Sequence, residues 1–225
     1  MQAEGRNRRS LLSGFGAAVT AFVFGSRQAG AQAADGVARP PRHPQDDWLD
    51  AVPGSHRTFI DTSSADGAAI AMRYATNLYT ANQSVYSLTD RDVAVVVCFR
   101  HLSTVFGFND AMWAKYGKAF GERAEFMDPK TKQAPTANLL NAEGYPTLAN
   151  GGITIDAMAK RGMHVAICSM ATRNMAGRIA ASTGGDVEAV VKELMANAVA
   201  NSHFVPAGVV AVNRAQERGY TMLRA

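Results

Sequence analysis

The chain has 225 residues, of which 47% are hydrophobic and 19% charged, a composition that suits one sizeable globular domain and is short for two. Its net charge of +4 is local: Arg6, Arg8, Arg9 and Arg27 stand against Glu4 alone in residues 1–33, and the remainder is close to neutral. A nearly neutral body lacks the electrostatic footprint that nucleic acid or another polyanion requires, so those partners are excluded.

Residues 1–33 read as an export leader. A basic start precedes an apolar stretch from Leu11 to Gly25, and both Ala29-Gly30-Ala31 and Ala31-Gln32-Ala33 have the small-x-small form of a cleavage site. The stretch is short for a bilayer span, which takes ~20 residues. Asn7-Arg8-Arg9-Ser10-Leu11-Leu12 resembles the twin-arginine signal, with an ordinary secretory leader or an uncleaved anchor as the other readings. Twin-arginine export implies a periplasmic protein that touches the membrane only through its leader. Residues 34–55 hold four of the eight prolines and predict an extended arm, on which Trp48 and Leu49 are placed to dock on the body.

From His56 onward the pattern alternates. Strands are predicted at 56–61, 92–99, 163–168, 203–205 and 220–224. "DVAVVVCF" is the continuous apolar run of a strand buried on both faces. Helical spacing recurs in "TSSADGAAIAMRYATNLYTAN", "TVFGFNDAMWAKYGKAF", "ITIDAMAKRG", "MATRNMAGRIAAS", "GDVEAVVKELMANAVAN" and "AGVVAVNRAQERG", the last with Pro206 at its first position. A polar, proline-marked stretch over 121–152 has the length of a functional loop. Alternating strands and helices predict a single α/β domain over residues 56–225, a flavodoxin-like three-layer fold with a mostly parallel five-stranded sheet and helices on both faces.

Ligands of such sheets bind beyond the carboxyl ends of the strands, which selects Asp61 to Ser64, Arg100-His101, Cys168-Ser169 and residues 203–206. Cys168 ends a strand where a helix begins. A helix N-terminus favours an anion and hence a thiolate, and Arg173 and Arg178 on that helix add positive potential if they face it. The other reading is a buried, inert cysteine. Cys98, inside "VAVVVCF", reads as core; a flavodoxin-like strand order would separate it from Cys168 by the first strand and preclude a disulfide. Arg100 suits an anionic group and His101 a proton transfer, unless Arg100 pairs with Asp61 or Asp110. Asn109, Asp110, Trp113 and Tyr116 lie along the next helix, as a pocket wall or as a packed face. The five histidines show no metal-ligand spacing, and no dinucleotide or P-loop motif is present. Asp61 and Asp66 would repel a flavin phosphate after the first strand, so no cofactor is expected.

Three segments, "GMHVAICSMATRNMAG", "VPAGVVAVNRAQERGYTML" and "DVAVVVCFRHLSTVFGFNDAMWAKY", resemble the DsrE/DsrF-like family associated with sulfur relay. The resemblance implies a sulfur-carrying cysteine at Cys168, a homo-oligomer, and a sulfur donor or acceptor protein as partner. The relay members of that family work in the cytoplasm, whereas this chain carries an export leader and the 121–152 insertion. The resulting expectation is a periplasmic protein handling sulfur on Cys168, with Arg100 orienting an anionic sulfur species and His101 moving a proton. The alternative is a non-catalytic ligand-binding or assembly module, its pocket built from Arg100, His101, Trp113 and Tyr116 beneath the 121–152 loop.

Overall fold

The computed structural model describes residues 40–143 and 145–225, so the leader lies outside the described residues. The elements run α1 (Trp48–Ala51), β1 (His56–Thr62), α2 (Ala65–Tyr86), β2 (Val93–Phe99), α3 (Asp110–Ala124), α4 (Ile155–Lys160), β3 (His164–Cys168), α5 (Ser169–Thr183), α6 (Val187–Ala196), β4 (Ser202–Val205), α7 (Gly208–Gln216) and β5 (Thr221–Arg224). The five strands form one sheet in which every pairing is parallel, as the alternation predicts. Side-chain caps fix several helix starts: Ser64 accepts from the Gly67 N–H, Asn109 from Met112 and Asp186 from Ala189.

Strand order differs from the expectation. The sheet runs β4-β3-β2-β1-β5, so β2 and β3 are neighbours and β1 does not lie between them. Periodicity identifies strands without ordering them, and the order has a large consequence here. Each step from β1 to β4 moves one place in the same direction, and a right-handed crossover then puts every connecting helix on one face. Only the return from β4 to β5 reverses direction, which carries α7 to the other face. The fold is therefore three-layered and unequal. One face buries Ile60, Val95, Val97, Phe99, Val165 and Ile167 beneath helices α2 to α6. The other buries Phe59, Ala94, Val96, Cys98, Ala166 and Val205 beneath α7 and the arm.

The arm is not extended throughout, since it folds into a 3-10 turn at Pro44–Asp46 and α1, and it docks through Leu49, which is 1% exposed, and through Trp48, whose ring stacks on His203 at 4.0 Å and 9°. Two helical boundaries shift. The helix expected over 104–120 splits into a 3-10 turn at His101–Gly107 and α3, with Asn109 as the cap between them. Helix α7 begins at Gly208, capped by Ala207, so Pro206 precedes the helix; its carbonyl instead accepts the Met170 N–H at 3.3 Å.

Beneath Trp48, His203 Nε2 and His164 Nδ1 lie 2.9 Å apart across β4 and β3. That bond needs one donor and one acceptor, so the two rings cannot both be charged and keep it. Burial, and then the neighbouring His164, push His203 down to about 4, and burial lowers His164 as well. The folded state thus takes up a proton less readily than the unfolded chain, and stability falls as pH drops from about 6.5 towards 4. With both rings half-buried, the expected loss is on the order of 2 kcal/mol, already discounted for solvent screening. Urea denaturation of the wild type and of His203→Phe, which keeps the stack on Trp48, checks this. The variant loses less stability across that window, and identical slopes would show that the rings titrate as if in water.

Candidate functional site

The site forms at the carboxyl rim of β2 and β3, on the thinly covered face. Side chains alternate along a strand, so Cys98 and Arg100 share that face with Ala166 and Cys168. Phe99 pairs with Ile167, which brings the next residues, Arg100 and Cys168, side by side. A cleft of about 370 Å³ opens there, lined by Arg100, His101, Arg123, Cys168, Asn174 and Gly208, with Met170 and Val209 at its edge.

Cys168 is the N-cap residue of α5 and makes no capping hydrogen bond through its thiol. Its carbonyl accepts the Thr172 hydroxyl at 3.0 Å, which fixes the backbone as the strand turns into the helix. The residue is buried, 6% exposed, and lines the cleft. Cys98 is its opposite: fully buried, packed in the smaller core, and pushed far up by burial and then by the Asp61 charge, so it stays a neutral thiol. Both cysteines are free. Their strands are adjacent after all, but Cys98 pairs with Ala166, leaving Cys168 two residues further along the neighbouring strand. One strand spacing and two residue rises separate such Cα atoms by roughly 8 Å, beyond disulfide reach.

Arg100 is committed to Asp61. Its Nε and a terminal nitrogen donate to the two carboxylate oxygens at 2.6 and 2.7 Å, a bidentate pair whose carboxylate is 8% exposed. The Asp61 hydrogen bonds hold the guanidinium above its ordinary range. Expected as the anion ligand, Arg100 is instead largely neutralised by Asp61, the alternative partner that the sequence offers. Gly208 lets it lie there, since a Cβ on this first residue of α7 would stand 2.6 Å from the Arg100 Cβ and 2.8 Å from its Cδ.

His101 is exposed at the cleft rim in the left-handed region, φ 56°, where a histidine is uncommon. Its Nδ1 lies 3.5 Å from a terminal nitrogen of Arg123. A guanidinium only donates, so Nδ1 is the acceptor and Nε2 carries the proton of the neutral ring.

The remaining predicted residues do not join this cleft. Trp113 is sealed in the larger core between Phe106 and Phe120. Tyr116 donates to Glu193 at 2.6 Å and faces a separate depression between α3 and α5, with Lys115 and Ser182. Asn109 caps α3, and Asp110 accepts the Asn138 N–H at 2.8 Å. Of the two alternatives for that helix, the packed face is the one observed. Nor does the 121–152 stretch roof the cleft. Its first four residues complete α3, and the rest is a strap held down by buried Leu139, Leu140 and Asn138, whose amide donates to the carbonyls of Phe106 and Phe108 at 2.9 Å each. Arg173 turns outward to pair with Glu188.

Arg123, at the end of α3, was missed by sequence reading: it is 22 residues from His101 and belongs to no motif. Only the packing of α3 against α5 delivers it. Among the described residues, no three His, Cys, Asp or Glu side chains converge as metal ligands. No helix among them is long and apolar enough to cross a membrane. The α/β class and the cleft are as far as geometry carries the classification. Comparison with family models, with curated proteins and with solved structures gives no match.

Proposed function

We propose that this chain is an exported, periplasmic protein of the DsrE/DsrF-like type that carries sulfur on Cys168 as a persulfide. The observation that supports the reading is the contrast between the two thiols. One ends a strand at the base of an open cleft, capping a helix, while the other is entombed in the core. In the forward step the Cys168 thiolate attacks the sulfane sulfur of a donor. A Cys168 S–S bond forms, the donor's S–S bond breaks, and the donor fragment departs with the electron pair. An acceptor thiolate then takes the outer sulfur and regenerates Cys168. On this reading His101, at the cleft rim, takes the proton released when the thiol becomes a thiolate, on Nδ1, which gives up its contact with Arg123 to do so.

Incubation with inorganic polysulfide followed by intact-mass measurement tests this. The wild type and Cys98→Ala gain one sulfur atom, Cys168→Ser gains none, and thiol reduction removes the adduct. Equal sulfur uptake by Cys168→Ser, or none by the wild type, would overturn it.

A further inference from the structure

The cleft over Cys168 carries more positive charge than its ion pairs consume. Arg100 is spent on Asp61, so it leaves little for a ligand. Arg123 is different. Among the described residues it forms no ion pair, and its recorded hydrogen-bond contact is with the imidazole of His101. Arg178 also lacks an ion pair there. It lies on the face of α5 that presents Ala171 and Asn174 to the cleft, three and seven residues on from Ala171 as helical spacing requires. Burial, and then the Arg178 charge, hold Arg123 below its ordinary range, against a weaker opposite pull from Glu125. Arg123 in the cleft lining and Arg178 beyond Asn174 on α5, neither held in an ion pair among the described residues, make the arrangement of an anion site awaiting its ligand.

Resting on the sulfur-handling reading of Cys168, we propose that Arg123 and Arg178 bind the oxyanion end of a small sulfane-sulfur oxyanion, of the thiosulfate or thiosulfonate class, with His101 beside them. The chemistry accounts for why two cations are wanted. In the transfer, the Cys168 thiolate bonds to the terminal sulfur of thiosulfate and the S–S bond of thiosulfate breaks. Sulfite leaves with the bonding electron pair, and Cys168 is left as the persulfide anion. One thiolate and one dianion become one persulfide anion and one dianion, so no external oxidant or reductant enters. Negative charge moves onto the leaving sulfite during the reaction, and donors already held beside that fragment stabilise it as it departs. Met170 and Val209 give the cleft an apolar edge where a polarizable terminal sulfur is tolerated better than a hydrated oxygen.

The experiment separates this from the reading beneath it. Calorimetric titration of Cys168→Ser with thiosulfate measures binding without chemistry, with sulfate as the comparison. Binding of thiosulfate is expected, tighter than that of sulfate, and weakened about tenfold or more by adding either Arg123→Gln or Arg178→Gln. Arg178 is exposed, so its variant keeps the fold and carries the test alone should Arg123→Gln not fold. No thiosulfate binding, or binding indifferent to both arginines, overturns the proposal even if polysulfide still loads Cys168. Equal affinity for sulfate also overturns it, by assigning the site to plain tetrahedral oxyanions. Binding that follows both arginines and prefers thiosulfate upholds the site even where polysulfide fails to load, and in that case it is the carrier role of Cys168 that falls.

Discussion

Asp61→Asn is expected to lower stability by about 3 kcal/mol while raising the affinity of the cleft for thiosulfate. The stability term follows from burial. The Asp61 carboxylate is 8% exposed and the Arg100 side chain 21%, so removing one charge strands the other in a poorly solvated place. Breaking such a pair costs about 3–5 kcal/mol when both partners are buried, and the partial exposure of Arg100 puts this one at the lower end. In a domain of this size the change corresponds to a fall in Tm of about 6–12 °C. The affinity term has the opposite sign for the same reason. Arg100 lines the cleft but is held by Asp61, and without that carboxylate its fork becomes a further donor for an anion. Urea denaturation and calorimetric titration together check both. Adding Arg100→Met is expected to restore much of the lost stability, because the pair is then replaced by apolar volume, and to abolish the gain in affinity. A loss below about 1 kcal/mol for Asp61→Asn would mean that water already screens the pair.

That pair also marks where sequence stops informing. Each strand could be placed within a residue or two from apolar runs alone, and the Cys168 junction followed because a strand ending directly before a helix leaves few positions for a thiol. The pairing of Arg100 with Asp61 stood only as one of two possibilities. Deciding it needed the neighbour relation of β1 and β2, which places Asp61 opposite Cys98. The order of the strands was not legible, because crossover direction is set by which connections pack together and not by any strand's own composition. Trp113 and Tyr116 lie away from the Cys168 cleft for a related reason. A helix with Met112, Trp113, Tyr116 and Phe120 along it reads the same whether its aromatic face meets a ligand or a core, and here it meets the core. Arg123 shows the reverse failure. A single arginine at the end of an amphipathic helix has no local signature, and Arg123 reaches the cleft only because α3 packs against α5.

The strap after α3 was legible as part of the long irregular stretch over 121–152 and illegible as packing, and one substitution exposes the difference. Gly117 lies inside α3, where replacing glycine by alanine normally stabilises by about 1 kcal/mol through helix propensity. Here the sign is expected to reverse. A Cβ at position 117 would stand 2.0 Å from the carbonyl oxygen of Pro135, a backbone atom that no rotamer change can move aside. Gly121, one turn further, meets the carbonyl oxygen of Phe126 at 2.9 Å in the same way, so the strap has no slack on this side. Accommodating the methyl group requires lifting the strap, and with it Asn138, whose amide satisfies two buried carbonyls and whose N–H rests on Asp110. The expected net loss for Gly117→Ala is about 3 kcal/mol, made of overpacking and of polar groups left without partners. Gly177, inside α5, is the internal control: nothing lies within 4 Å of its built Cβ, so Gly177→Ala is expected to stabilise by about 1 kcal/mol. Two identical substitutions in two helices of equal length thus carry opposite signs in one denaturation experiment. Stabilisation by both would detach the strap from α3, and a loss in both would show that the α5 face around Gly177 is covered.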